Sequence, residues 1–225
     1  MKHIPIVFAV AGLTGILGIT PVTANAQAPQ TRPRQINFQQ QFNQGVQQLQ
    51  QGNFQEAIED FNRVVQINPQ FYEGFCLRGL AKSQLGNYQA AVVDFNQAIR
   101  LNPNHADAYH NRGNVYTALG NISLAVADFE KTIKIDPNFT DAYYNLGLTN
   151  YRQGNHKQAI TNLNKALKLN PNLAEAYGNR GLAEYALGNK RSAVADLQKA
   201  ASIFHQQGDN QNYQQTQAII KQFTK

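Results

Sequence analysis

A chain of 225 residues with 42% hydrophobic residues can bury one large core or two small ones, and internal repetition overrides that estimate where it exists. The 20 Lys and Arg outnumber the 14 Asp and Glu, for a formal charge of +6, but they are scattered along the sequence, which argues against nucleic-acid binding. A single cysteine, Cys76, excludes an intrachain disulfide, and the low charged fraction of 15%, with Gln and Asn supplying much of the polarity, suits a soluble helical protein.

Residues 1–26 read as a secretory signal: Lys2, an apolar run from Ile4 to Ile19 loosened by three glycines, then Ala24-Asn25-Ala26. Cleavage between Ala26 and Gln27 is expected, which makes the protein exported (periplasmic, lumenal or secreted) with no stable membrane insertion after cleavage. The alternative is a membrane anchor through an uncleaved N-terminal segment, but spanning the hydrocarbon core takes about 20 apolar residues and this run is shorter. No cysteine stands at the end of the signal, so a lipoprotein is not expected. Residues 27–37, with Pro29 and Pro33, form a flexible leader, and order is expected to begin near Ile36 or Phe38.

From Phe38 onward the chain is periodic. Gly52, Gly86, Gly120, Gly154 and Gly188 are each followed by Asn and are spaced by 34 residues. Pro69, Pro103, Pro137 and Pro171 each lie 17 residues after a turn Gly, so each period is halved by a Gly and closed by a Pro. Apolar residues recur at helical spacing on both sides of the Gly, which gives two helices per unit. The units are 38–71, 72–105, 106–139, 140–173 and 174–207. A second glycine, seven residues before each turn (Gly45, Gly79, Gly113, Gly147, Gly181), lies inside a helix at a cost of about 1 kcal/mol. Ala57, Ala91, Ala125, Ala159 and Ala193 on the partner helix suggest the reason: small residues on both sides let the two backbones approach. In the fifth unit His205 stands where proline would fall, so its last helix should run to about Gln206. Residues 208–225 then carry Tyr213, Thr216, Ile220 and Phe223 on one side of a closing helix.

The aromatic at Phe75, Tyr109, Tyr143 or Tyr177, the Gly four residues on, the turn Gly, the Ala, the bulky Phe61, Phe95, Phe129, Leu163 or Leu197, and the closing Pro together resemble the tetratricopeptide repeat. The resemblance implies an all-α fold, a right-handed α-solenoid of five 34-residue helix-turn-helix repeats plus a C-terminal capping helix. It also implies that the leading helices line a groove for a peptide or helix of another protein, through the positions ten, six and three before each turn Gly. Those are Phe42, Val46, Leu49; Cys76, Leu80, Ser83; His110, Asn114, Thr117; Tyr144, Leu148, Tyr151; and Gly178, Leu182, Tyr185. The partner-binding residues expected from this set are His110, Asn114, Tyr144, Leu148, Tyr151, Leu182 and Tyr185. Family members that clamp a terminal carboxylate carry Lys in the first place and Asn in the second; only Asn114 matches.

No catalytic constellation appears: there is no phosphate-cradling loop and no paired-histidine helix motif, and His105 and His110 are poorly spaced for a metal. No enzyme activity, cofactor or metal is therefore expected. Arg78, Arg112 and Arg180 stand just before a helix glycine, with Asp94, Asp128 and Asp196 sixteen residues later, while the fourth unit has Leu146 and Asn162, losing both partners together. That joint loss points to structural ion pairs within each unit. The expected function is a non-catalytic scaffold or adaptor for another protein; the alternative is an envelope accessory that binds cell-wall polysaccharide or peptidoglycan directly.

Overall fold

A computed structural model describes residues 33–224. The expected export signal, its Ala26/Gln27 cleavage site and residues 27–32 lie outside the described residues. Among the described residues there are eleven helices and no strand. Five pairs follow the repeats: α1 (Pro33–Gln50) with α2 (Phe54–Ile67), α3 (Tyr72–Gln84) with α4 (Tyr88–Leu101), α5 (Ala106–Ala118) with α6 (Ile122–Ile135), α7 (Thr140–Arg152) with α8 (His156–Leu169), and α9 (Ala174–Ala186) with α10 (Lys190–Gln206). The eleventh helix, α11 (Asn210–Thr224), packs on α10. The helices group into two compact bodies, α1–α6 and α7–α11.

α1 begins at Pro33, so the end of the leader expected over 27–37 is helical. Proline suits a first helical turn, where its missing N–H has no partner to lose.

Each Gly-Asn turn is built the same way. Gly86 takes φ +76°, and the amide of Asn87 donates back to the Lys82 carbonyl at 2.9 Å, closing α3 with the left-handed glycine and long return bond of a Schellman end. At the far side of each repeat a side chain sets the bend before the next helix: Asn68, Asn102, Asp136 and Asn170 each accept from the amide two residues on, at 2.9–3.1 Å. These Asx-turns precede the prolines and share the work of closing the repeat with them.

Inside the hairpins, a Cβ on Gly113 would lie 2.8 Å from Cε1 of Phe129, and one on Gly45 would lie 2.8 Å from Phe61. The helix glycines therefore face chiefly the bulky residue of the partner helix, which corrects the expectation that they meet its alanine. Only where Leu replaces Phe does the alanine backbone also come close: a Cβ on Gly181 would meet the Ala193 carbonyl at 3.0 Å. Phe61, Phe95, Phe129, Leu163 and Leu197 are all at most 1% exposed, so these five side chains form the spine of their hairpins. Burying side chains of this kind is worth about 1.5–3 kcal/mol each.

α10 runs on to Gln206 and ends at Gly208, whose φ is +74°. On α11 the buried set is Thr216, Ile219 and Phe223, and Tyr213 and Ile220, expected on the same side, are partly buried against the same core.

Candidate partner-binding site

The leading helices lie side by side within each body. α3 touches both α1 and α5, and α7 touches α9, so the positions ten, six and three before each turn Gly fall on one face of each body.

In the first body much of that face is taken up by its own packing. Leu49, Cys76 and Leu80 are nearly fully buried, Phe42 stands edge-on to Phe71 at 5.1 Å, and the Ser83 hydroxyl donates to the Leu80 carbonyl at 2.7 Å. Burial pushes the Cys76 thiol well above its ordinary range, so it behaves as a small apolar group rather than a thiolate. His110 is 5% exposed, its ring centroid 5.9 Å from that of Phe129 and its Nε2 3.5 Å from the Asn114 amide nitrogen. Desolvation lowers its pKa to about 4, so it is neutral at pH 7. Of the pair expected to greet a partner here, only Asn114 keeps appreciable surface.

In the second body the three tyrosines have three different environments. Tyr144 is 3% exposed, clustered with Leu148, Leu163, Ala166, Leu167 and Ala176, and its hydroxyl accepts from the Asn179 amide at 3.0 Å. It joins α7 to α9. That corrects its expected role as a surface contact: Asn179 is fully buried and needs a polar partner, and the Tyr144 hydroxyl is in reach. Burial accordingly raises the phenol's pKa well above its usual value. Tyr151 is half-buried beside His156, with ring centroids 5.4 Å apart. Tyr185 is 39% exposed, one face of its ring stacked on Phe223 of α11 at 3.5 Å with an interplanar angle of 10°. Leu148 and Leu182, on the same two helices, are buried, which corrects their expected role as partner contacts.

The charged residues form a regular pattern between the helices of each repeat. Arg78 Nε and Nη2 donate to the two oxygens of Asp94 at 2.9 and 2.6 Å; Arg112 to Asp128 at 2.8 and 2.7 Å; and Arg180 to Asp196 at 2.7 and 2.6 Å. The remaining Nη1 of each arginine reaches back to an asparagine of the preceding repeat: Asn62 at 2.8 Å, Asn96 at 2.5 Å and Asn164 at 2.6 Å. Each guanidinium also lies 5.2–5.5 Å from the ring of the aromatic three residues before it, Phe75, Tyr109 or Tyr177. A rigid fork meeting a carboxylate in two bonds while stacking on a ring is a use that lysine cannot reproduce. The asparagines escaped the sequence reading although their 34-residue period was present. In the fourth repeat Leu146 is buried and Asn162 turns to its own helix, donating to the Gln158 carbonyl at 3.1 Å. In the first repeat Gln44 stands where the arginine would be, and the buried Asp60 receives Gln41 Nε2 at 2.5 Å and Arg63 at 3.3 Å instead.

Family models described as "TPR repeat" match residues 79–120 and 113–154, and models described as "Tetratricopeptide repeat" match 39–71, 140–173 and 174–212. The chain belongs to the tetratricopeptide-repeat family. Solved tetratricopeptide-repeat proteins share its fold. MamA from Desulfovibrio magneticus RS-1 (residues 41 to the end) is 24% identical at a TM-score of 0.69, covering 76% of this chain and 97% of that one. YrrB, whose structure is described as "a TPR protein with an unusual peptide-binding site", is 18% identical at a TM-score of 0.64, covering 79% and 90%. TTC0263 from Thermus thermophilus is 19% identical at a TM-score of 0.62, covering 83% and 98%. A search of curated proteins finds none that matches the sequence. Among the described residues, no group of three or more His, Cys, Asp or Glu could hold a metal ion in this tetratricopeptide-repeat array, and no helix is long and apolar enough to cross a membrane.

Proposed function

We propose that this tetratricopeptide-repeat protein is an exported, non-catalytic adaptor that takes a peptide or helix of another protein on the leading-helix face of its second body. The observation that carries the reading is Tyr185: a large amphipathic ring at a groove position, 39% exposed on one side and held flat by Phe223 on the other. A ring already fixed in place loses little side-chain freedom on binding, and tyrosines of this kind are the residues that binding hot spots favour. Tyr151 is the second contact, half-exposed on the same face of the neighbouring leading helix. Export rests on residues 1–26, with the mature protein starting at Gln27. YrrB, a peptide binder by its description, supports a peptide as the class of ligand.

The test is crosslinking in the native compartment, identification of the captured protein, and titration of that protein against purified Tyr185→Ala and Tyr151→Ala variants. Each change should weaken binding by about 1–2 kcal/mol while the melting curve stays close to wild type. Wild-type affinity in both correctly folded variants would sink the reading. Sedimentation of the purified protein with cell-wall material, without any other protein present, would replace it with direct binding of envelope polymer.

A further inference from the structure

Beyond residue 32, the excess positive charge that looks scattered in sequence falls in one body. Residues 33–135 hold eight Lys and Arg and eight Asp and Glu, whereas residues 136–225 hold ten and six. Most of the excess sits on the trailing helices α8 and α10. Lys157, Lys165 and Lys168 on α8, and Lys190, Arg191 and Lys199 on α10, are all exposed, and among the described residues none of the six forms an ion pair. α8 contains no acid at all, and the one acid of α10, Asp196, is held by Arg180.

The arrangement is in register. Lys157 and Arg191 are one period apart, as are Lys165 and Lys199, so each pair occupies the same place on successive repeats. On α8 the step from 157 to 165 is about 12 Å along the axis, and both fall within a quarter turn, so the charges form a two-dimensional array on one face. Lys190 and Arg191 also stand in the first turn of their helix, where the macrodipole disfavours cations, so local helix energetics do not account for them.

From this geometry we infer that the trailing-helix face of the second body docks on the surface of a bilayer rich in anionic phospholipid. The cations diverge over a face rather than converge on a pocket, and five of the six are lysines, point charges suited to a diffuse negative potential more than to one carboxylate. Neither helix exposes a Phe, Tyr or Trp on which a base could stack. Instead, half-buried Val194 and exposed Ala195 lie one turn after Lys190 and Arg191 on the same stripe of α10. Cations beside exposed apolar surface combine the two attractions of interfacial binding, to charged headgroups and to the boundary beneath them. The surface lies on different helices from the tyrosine face, so membrane docking and partner binding need not compete.

The test is co-sedimentation of the chain from Gln27 onward, which keeps every described helix and omits the apolar run of 4–19, with vesicles of phosphatidylcholine alone or with one-third phosphatidylglycerol. The wild type should bind only the anionic vesicles, and binding should fade as salt rises through a few hundred millimolar. Replacing Lys157, Lys165, Arg191 and Lys199 together by Gln should weaken binding at least about tenfold, whereas Arg100→Gln with Lys134→Gln in the first body should leave it unchanged. The four sites are exposed, so circular dichroism should report the same helicity and melting. Equal binding by wild type and the fourfold variant, or equal binding to neutral vesicles, overturns the inference. Retention by immobilised poly-glutamate without vesicle binding overturns it in favour of an acidic protein.

Discussion

Neutral His110 makes the stability of the first body depend on pH in a calculable way. In the unfolded chain a histidine titrates near 6.5; in the fold, desolvation lowers His110 to about 4. Above pH 6.5 the residue is neutral in both states and costs nothing. As pH falls below 6.5 the unfolded chain takes up the proton first, so the fold loses stability continuously until His110 itself protonates near 4. With those two values, the loss between pH 7.5 and pH 4.5 is about 2–3 kcal/mol. The assay is urea unfolding followed by circular dichroism at both pH values, on wild type and on His110→Gln. The glutamine has no titration, and the difference between the two proteins cancels the partly buried His105, whose pKa is also lowered chiefly by desolvation, and every other common group. The wild type should lose about 2–3 kcal/mol more than the variant over this interval. An NMR titration of the imidazole should show a midpoint far below 6.5. A difference that is flat with pH, or a normal His110 midpoint, would refute the claim that this groove position is sealed from solvent.

Four further outcomes are expected. Arg112→Leu should destabilise by about 3 kcal/mol in thermal or urea unfolding, because Asp128 keeps only 7% of its side chain exposed and loses its counter-charge, while adding Asp128→Asn, the pair that the fourth repeat carries as Leu146 and Asn162, should restore most of the loss. Tyr144→Phe retains the ring but removes the 3.0 Å bond to Asn179, and should cost about 1–2 kcal/mol of stability without changing affinity for the captured partner. Gly113→Ala should lower the melting temperature despite the better helix propensity of alanine, since its Cβ would sit 2.8 Å from the Phe129 ring and the net cost should be about 1 kcal/mol. If residues 1–26 are a cleaved signal, as proposed, N-terminal sequencing of the mature protein should begin at Gln27; an intact Met1 species in a carbonate-resistant membrane fraction would replace the signal with an anchor.

The family and the hairpin count were legible in the sequence because repetition amplifies weak local signals. One Gly-Asn step says little, but five at a constant period, answered by four prolines, admit only two-helix units. The arginine–aspartate partners were legible for the same reason, through Leu146 and Asn162 changing together. What periodicity cannot carry is whether equivalent positions have equivalent surroundings. Tyr144 and Tyr151 both belong to the groove set of one helix, yet the first is sealed and hydrogen-bonded to Asn179 while the second keeps surface, because burial is decided by what the next helix places opposite. Tyr185 remains exposed yet rigid because Phe223, outside the repeats altogether, stacks on it. His110 was read as a polar groove contact and is neutral and buried against Phe129, a contact between residues nineteen apart on the two helices of one hairpin. The chain by itself determined which helices form and how they pair, since both follow from short-range spacing; only the tertiary packing decided which groove residues reach solvent, because exposure depends on side chains far along the chain.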